Sequence, residues 1–267
     1  MIHKSKKSIK TLFLPLLFIL LILIELPAQT QIKSTISGRI TDAATDEPIF
    51  NVNIFLANTT IGTTTGMDGR YIIKNIPPGA YDLIVSHISY ELKSIQIRFI
   101  VPKSLTYDFA LKPRVIKGEE ISVVALIPKE WQKNLERFTK KFIGSSNNSR
   151  KCRILNPEVL NFQIDQKTKE LVAFADSTIQ VDNRALGYRI HIILSHFILE
   201  MSTGYLACGI FPRFEILEPQ NDKELKNWLK NRRRTYEGSF KHFLSALARG
   251  KVNEEEFSLY YTYKVGN

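Results

Sequence analysis

From Ile36 to Leu111 apolar side chains return at every second position in short runs, and each run is cut off by glycine, proline, asparagine or aspartate. A period of two fits the pleated strand, on which alternate residues share a face, and runs this short leave no window for a helix. Ile36, Gly38 and Ile40 form the first run; Val52, Ile54 and Leu56 form the next. A threonine-rich stretch, Thr59 to Thr65, precedes a segment from Arg70 to Lys74. Asp68-Gly69 between them is expected to turn a hairpin, because glycine tolerates the positive φ of a tight connection. Pro77-Pro78-Gly79 breaks the chain again before Tyr81, Leu83 and Val85 alternate against Ala80, Asp82 and Ile84. Leu105, Tyr107, Phe109 and Leu111 give the clearest alternation of all. Seven strands in about eighty residues predict an antiparallel, all-β sandwich over residues 33–113.

The residues at the ends of these runs resemble a known family. Ile36-Ser37-Gly38-Arg39-Ile40-Thr41-Asp42, Pro48 followed by Asn51-Val52-Asn53-Ile54, Gly62-Thr63-Thr64-Thr65, Asp68-Gly69-Arg70-Tyr71, and Ile76-Pro77-Pro78-Gly79-Ala80-Tyr81 look like the carboxypeptidase-regulatory-like domain. The resemblance implies a transthyretin-like (prealbumin-like) sandwich and a non-catalytic module of the kind common in secreted and outer-membrane proteins of Bacteroidetes-type bacteria. A zinc carboxypeptidase needs His-x-x-Glu and a distant His, since zinc takes three protein ligands and keeps one position for water. The chain has instead His87 with Glu91 and His196 with Glu200, a spacing that on a strand places each pair on one face and matches no zinc-peptidase motif. No metal site and no cofactor is expected.

Upstream, Lys4, Lys6, Lys7 and Lys10 precede an uncharged apolar run from Leu12 to Ile24, and Leu26-Pro27-Ala28 supplies small or apolar residues before Gln29. This pattern reads as a secretory signal peptide over residues 1–28, too short in its apolar part for the roughly 20 residues of a spanning helix. The mature chain is therefore expected to be exported, in the periplasm or peripheral to the outer membrane. Downstream, residues 114–127 read as a linker with a short strand, Ile121 to Ala125. Glu119 to Ala125 resembles the strand that leads from such a sandwich towards the plug of TonB-dependent receptors, but a barrel of some twenty strands needs more chain than follows.

Residues 128–267 read as a mixed α+β domain. Trp131, Leu135, Phe138 and Phe142 share a helical face before Gly144. Leu160 to Ile164 and Leu171 to Ala175 suggest a hairpin, and Gly187 to Glu200 a long strand that Gly204 turns back into Tyr205 to Phe211. On the long strand Tyr188, Ile190, Ile192 and Leu194 are expected on one face, with Ile193, Phe197 and Leu199 on the other. Helices are expected over Asp222 to Tyr236, with Leu225, Trp228 and Leu229 facing inward, and over Ser239 to Arg249. Phe257, Leu259, Tyr261, Tyr263 and Val265 suggest a last strand. Cys152 to Leu160 and Tyr236 to Leu247 resemble a region often found behind this sandwich, one that brings no activity with it.

Two classes of function follow. The favoured one is a non-enzymatic secreted or envelope-associated protein, its sandwich an interaction or spacer module and its second domain a surface for a partner. The alternative is a hydrolase built around His191, His196, Ser239 and His242, although Ser239 after Gly238 reads first as a helix N-cap. The 37 Lys+Arg outnumber 26 Asp+Glu, and the excess lies in the second domain. Lys223, Lys226, Lys230, Arg232, Arg233 and Arg234 gather on one helix as candidate contacts for an anionic membrane surface or an acidic envelope protein. Export makes nucleic acid an unsuitable partner. Two cysteines without Cys-x-x-Cys exclude a zinc knuckle, while Cys152 and Cys208 are candidates for a disulfide in an oxidising compartment.

Overall fold

The structure is a computed structural model that describes residues 33–114, 129–165 and 167–260. The signal-peptide and linker-strand readings, and the last residues from Tyr261, lie outside the described residues.

The first domain is two sheets packed face to face. In one, β1 (Ser34–Asp42) is flanked antiparallel by β4 (Arg70–Ile76) and parallel by β7 (Ser104–Thr106) and β8 (Phe109–Leu111). The other runs β3 (Gly62–Thr64), β2 (Asn53–Leu56), β5 (Gly79–Ser86) and β6 (Lys93–Phe99), all antiparallel. β7 and β8 are one run interrupted at Tyr107-Asp108, where the Asp108 carboxylate accepts from the Arg39 amide at 2.7 Å. Gly38 permits that approach: a Cβ there would stand 1.8 Å from the Tyr107 carbonyl oxygen. The inward residues of the alternating runs, among them Ile36, Ile40, Ile54, Leu83, Val85 and Leu111, fill the core. Asp68-Gly69 does not turn a hairpin, because β3 and β4 belong to opposite sheets. It is a corner between layers, with Gly69 at φ +74°, where a Cβ would stand 2.5 Å from the Ile40 carbonyl oxygen and 2.9 Å from the Pro48 side chain.

The second domain wraps a sheet against α1 (Lys129–Ile143), whose Phe138 enters the core. β10 (Leu160–Asp165) and β11 (Glu170–Ala175) form the expected hairpin. The long strand β13 (Tyr188–Glu200) pairs with β14 (Leu206–Ile216) along one edge. β12 (Ile179–Asn183) and β11 take the first and last parts of its other edge, and β9 (Cys152–Ile154) lies beyond β12. A register shift between Leu194 and His196 marks a bulge in β13. One extra residue reverses the alternation, so Phe197 and Leu199 join Ile192 in the core instead of lying on the opposite face. β14 continues past Pro212, which an edge strand tolerates because a missing N–H costs nothing there.

Two helices close the described chain. Asn221 caps α2 (Asp222–Tyr236) by accepting from the Glu224 amide, and Ser239 caps α3 (Phe240–Ala248) by accepting from the His242 amide. The expected strand from Phe257 does not form among the described residues; the Phe257 ring instead packs edge-on against His242 and Phe243. The two domains meet at a seam. Phe55, Ala57 and Ile84, on the outer face of the β2–β5 sheet, are covered by Ile193 and Phe211. The Asn58 amide donates to the Pro212 carbonyl and the Phe214 amide to the Thr59 carbonyl, both at 2.8 Å, so the β2–β3 turn adds itself to the edge of β14.

Candidate functional sites

The residues of the hydrolase alternative are not brought together. His191, on β13, holds Glu215 at 2.7 Å through Nε2. His196 lies past the bulge, its ring filling the space above Gly209. The Ser239 hydroxyl serves the backbone amide of His242 rather than its ring. That ring accepts from the Gly238 amide at Nδ1 (3.1 Å) and pairs with Glu255 at Nε2 (2.7 Å), with Arg249 on the same carboxylate. Both imidazole nitrogens are occupied by structural bonds, leaving none to activate a hydroxyl. Among the described residues no group of three or more His, Cys, Asp or Glu is placed to hold a metal ion. His87 and Glu91 sit in the β5–β6 loop rather than on a strand. The Ser89 amide donates to His87 Nδ1, and burial pushes the His87 pKa down, keeping the ring neutral.

Cys152 and Cys208 are free thiols. Pairing aligns Cys152 with Asn183 and so with Tyr188, but Cys208 with Phe197. Nine positions along a strand is about 30 Å, far beyond the roughly 7 Å between α-carbons that a disulfide allows. The sheet excludes the pairing, and Cys208 is exposed rather than buried.

The basic helix divides into two roles. On its inner side Trp228, only 2% exposed, donates from Nε1 to the Arg184 carbonyl, and Asn231 donates to the carbonyl of Ala185. Arg232 donates to Leu186 and Gly187 and lies 4.0 Å over the Tyr188 ring. Four successive carbonyls of the β12–β13 turn are thus gripped from α2, and Arg232 is a structural clamp rather than an outward charge. Lys223, Lys226, Lys230, Arg233 and Arg234 do face solvent, Arg233 pairing with Glu237. Leu225 and Leu229 are exposed as well, contrary to the inward face expected for them. On α3, Phe240, Leu244 and Leu247 lie at i, i+4 and i+7 and are 74%, 45% and 49% exposed. None of these five apolar side chains belongs to a core cluster of the described residues.

A second candidate lies at the seam, in a cleft of about 430 Å³ bordered by the β5–β6 loop on one side and by Asp176 to Thr178 and Ile193 to Ser195 on the other. A smaller pocket of about 140 Å³ adjoins it, sharing Asn53, Ser86, Thr178 and Ile193. Arg213 and His191 complete the smaller one. Sequence reading missed this site because its residues come from six separate segments of the chain, from Asn53 to Arg213. The available signal was the unbroken runs Ile54-Phe55-Leu56-Ala57 and Leu83-Ile84-Val85, which mark strands covered on both faces.

The sandwich, its two sheets and its corners agree with a comparison to protein families, in which residues 36–123 match the model of the CarboxypepD_reg-like domain. This part of the chain is a carboxypeptidase-regulatory-like domain. The chain is 33% identical over 129 residues to the TonB-dependent receptor P39 of Formosa agariphila, an alignment covering 45% of this chain and 12% of the receptor. Among solved structures, 5-hydroxyisourate hydrolase of Klebsiella pneumoniae is 20% identical, covering 29% of this chain and 90% of that one at a TM-score of 0.24. A DUF3823 family protein from Bacteroides ovatus is 11% identical, covering 70% of this chain and 82% of that one, also at 0.24. The carboxypeptidase-regulatory-like domain supplies one wall of the seam cleft, and the α+β domain supplies the other.

Proposed function

We infer that this chain is a non-catalytic envelope module that attaches peripherally to an anionic surface through α2 and α3. The observation that carries this reading is the row Phe240, Leu244 and Leu247, turned to solvent on a capped helix and accompanied by Leu225, Leu229 and the outward cations of α2. Large apolar side chains left uncovered in a row mark a surface that is buried on association. Lys226, Lys230 and Arg234, spaced four residues apart, put positive charge along the outer side of α2, and each basic residue near an anionic membrane gains about 1 kcal/mol. Among the described residues no helix is long and apolar enough to cross a membrane. A regulatory-like domain, and likeness to part of a TonB-dependent receptor, support an envelope role without chemistry of its own.

Co-sedimentation of the full chain with vesicles containing anionic lipid tests this reading. Binding is expected at low salt and is lost progressively as the Debye length shortens from about 30 Å at 0.01 M towards 8 Å at 0.15 M. The variants K226E/K230E/R234E and F240S/L244S/L247S each release the protein while leaving the thermal midpoint unchanged; Arg232 is spared because its reversal breaks the clamp on the β12–β13 turn. Salt-insensitive sedimentation retained by both variants would overturn the reading.

A further inference from the structure

Seven residues line the 140 Å³ seam pocket, and none is a carboxylate. Five carry hydrogen-bond donors or convert to donors: Asn53 and Ser86 from the regulatory-like domain, and Thr178, His191 and Arg213 from the α+β domain. Glu215, two positions along β14 from Arg213, is engaged by His191 at 2.7 Å, so Arg213 makes no ion pair among the described residues. Its backbone is held on both sides by the interdomain bonds of Pro212 and Phe214. A guanidinium so positioned, half-buried and facing a pocket of neutral donors, is matched by an oxyanion, which accepts from its fork of N–H groups while the hydroxyl and amide donors take the remaining lone pairs.

We propose that the seam pocket is an oxyanion-binding site: a carboxylate, sulfate or phosphate group docks on Arg213 with Asn53, Ser86 and Thr178 around it, and the ligand's body extends into the adjoining 430 Å³ cleft. The cleft offers that body an apolar side, Ile88, Leu92 and Ile193, and a polar one that carries the carboxylates of Glu91 and Asp176 as well as Arg114, so the anionic group itself belongs in the smaller pocket. Since the two domains each supply part of the pocket, occupancy stabilises their docked arrangement by mass action. The site is separate from the proposed membrane surface, as no residue of α2 or α3 lines either cavity.

Side-chain NMR of the full chain, labelled with nitrogen-15 arginine, tests the proposal with sodium sulfate, inorganic phosphate and sodium acetate, each titrated against chloride at constant ionic strength. The Arg213 Nε–H signal, assigned by its disappearance in R213Q, is expected to shift saturably with at least one of the three. The anion that saturates first identifies tetrahedral or carboxylate chemistry. In a second sample labelled uniformly with nitrogen-15, the Asn53 side-chain amide and the backbone amides of Ser86, Thr178 and His191 respond at least about tenfold more weakly in R213Q, the loss of a charged hydrogen bond. T178V, which keeps the shape and removes one donor, weakens binding by about threefold, the worth of a neutral hydrogen bond, and is the deciding variant should R213Q not fold. R213Q binds anionic vesicles like the parent, which separates failure here from failure of the membrane reading. Shifts that are linear and equal to those of chloride, or saturable binding unaffected by R213Q and T178V, would overturn the site.

Discussion

Asp182 shows how a single charge is accommodated inside the second sheet. Its side chain is 8% exposed, yet it accepts from Arg189 Nε at 2.8 Å and from Nη2 at 3.3 Å, with Arg184 at 3.4 Å. The Arg189 hydrogen bond holds the carboxyl below the usual carboxylate range, and burial opposes it without prevailing. A depressed carboxyl pKa contributes stability that is present above the unfolded value of about 3.9 and is lost as pH falls through the folded value. Asp182→Asn is expected to cost about 1–3 kcal/mol at pH 7, the range for losing a charged hydrogen bond. Thermal melts from pH 7 to pH 2 check the sign: the gap between parent and variant narrows below about pH 4 as the parent's carboxylate is protonated.

At the scale of elements, α2 combines a clamp on the β12–β13 turn with a free outer face. Gly187 belongs to the clamp: at φ +68° it lies beneath Trp228, whose ring a Cβ would meet at 2.2 Å. Composition alone groups Arg232 with Arg233 and Arg234, since helix periodicity distinguishes their faces only once the partner of the helix is known. Arg232→Ala removes two hydrogen bonds to backbone carbonyls and a stacking contact, so urea unfolding is expected to report a loss of about 1.5–3 kcal/mol. Arg233→Ala, which removes one exposed ion pair, is expected to cost less than about 0.5 kcal/mol. Equal losses in the two variants would contradict the division of the helix. The bulge in β13 is a similar case, because one unpaired residue near Ser195 decides which face Phe197 occupies, and no turn residue announces it.

For the whole molecule, the seam joins a sandwich with its own core to a second domain with its own. Phe55 and Ile84 are 4% and 0% exposed although they lie on the outside of the sandwich, so the carboxypeptidase-regulatory-like domain is finished only by what covers it. Phe211→Asp places a charge in that contact, and burying an unpaired carboxylate costs more than the apolar area holds. Calorimetry is expected to show one unfolding transition for the parent and two, separated in temperature, for the variant. A single transition shifted downward would mean that the backbone bonds of Asn58 and Thr59 couple the domains without the apolar contact.

The β-sandwich was legible in the sequence because strand alternation and chain breaks such as Pro77 to Gly79 are local, whereas the work of Gly38 and Gly69, which face Tyr107 and Ile40 with Pro48 from other segments, was not. Helix α2 was legible for the same reason, its cap, period and end all lying within one segment. The tertiary structure alone decided what depends on distant partners. It placed Cys152 and Cys208 about nine residues apart in register, set Arg232 inward and Leu225 outward, and left the face of α3 uncovered. It also assembled the seam pocket from Asn53, Ser86, Thr178, His191 and Arg213, which are spread over 160 positions of the chain. Side chains so far apart in sequence meet only when strands from both domains have paired and packed, and no local propensity encodes that meeting.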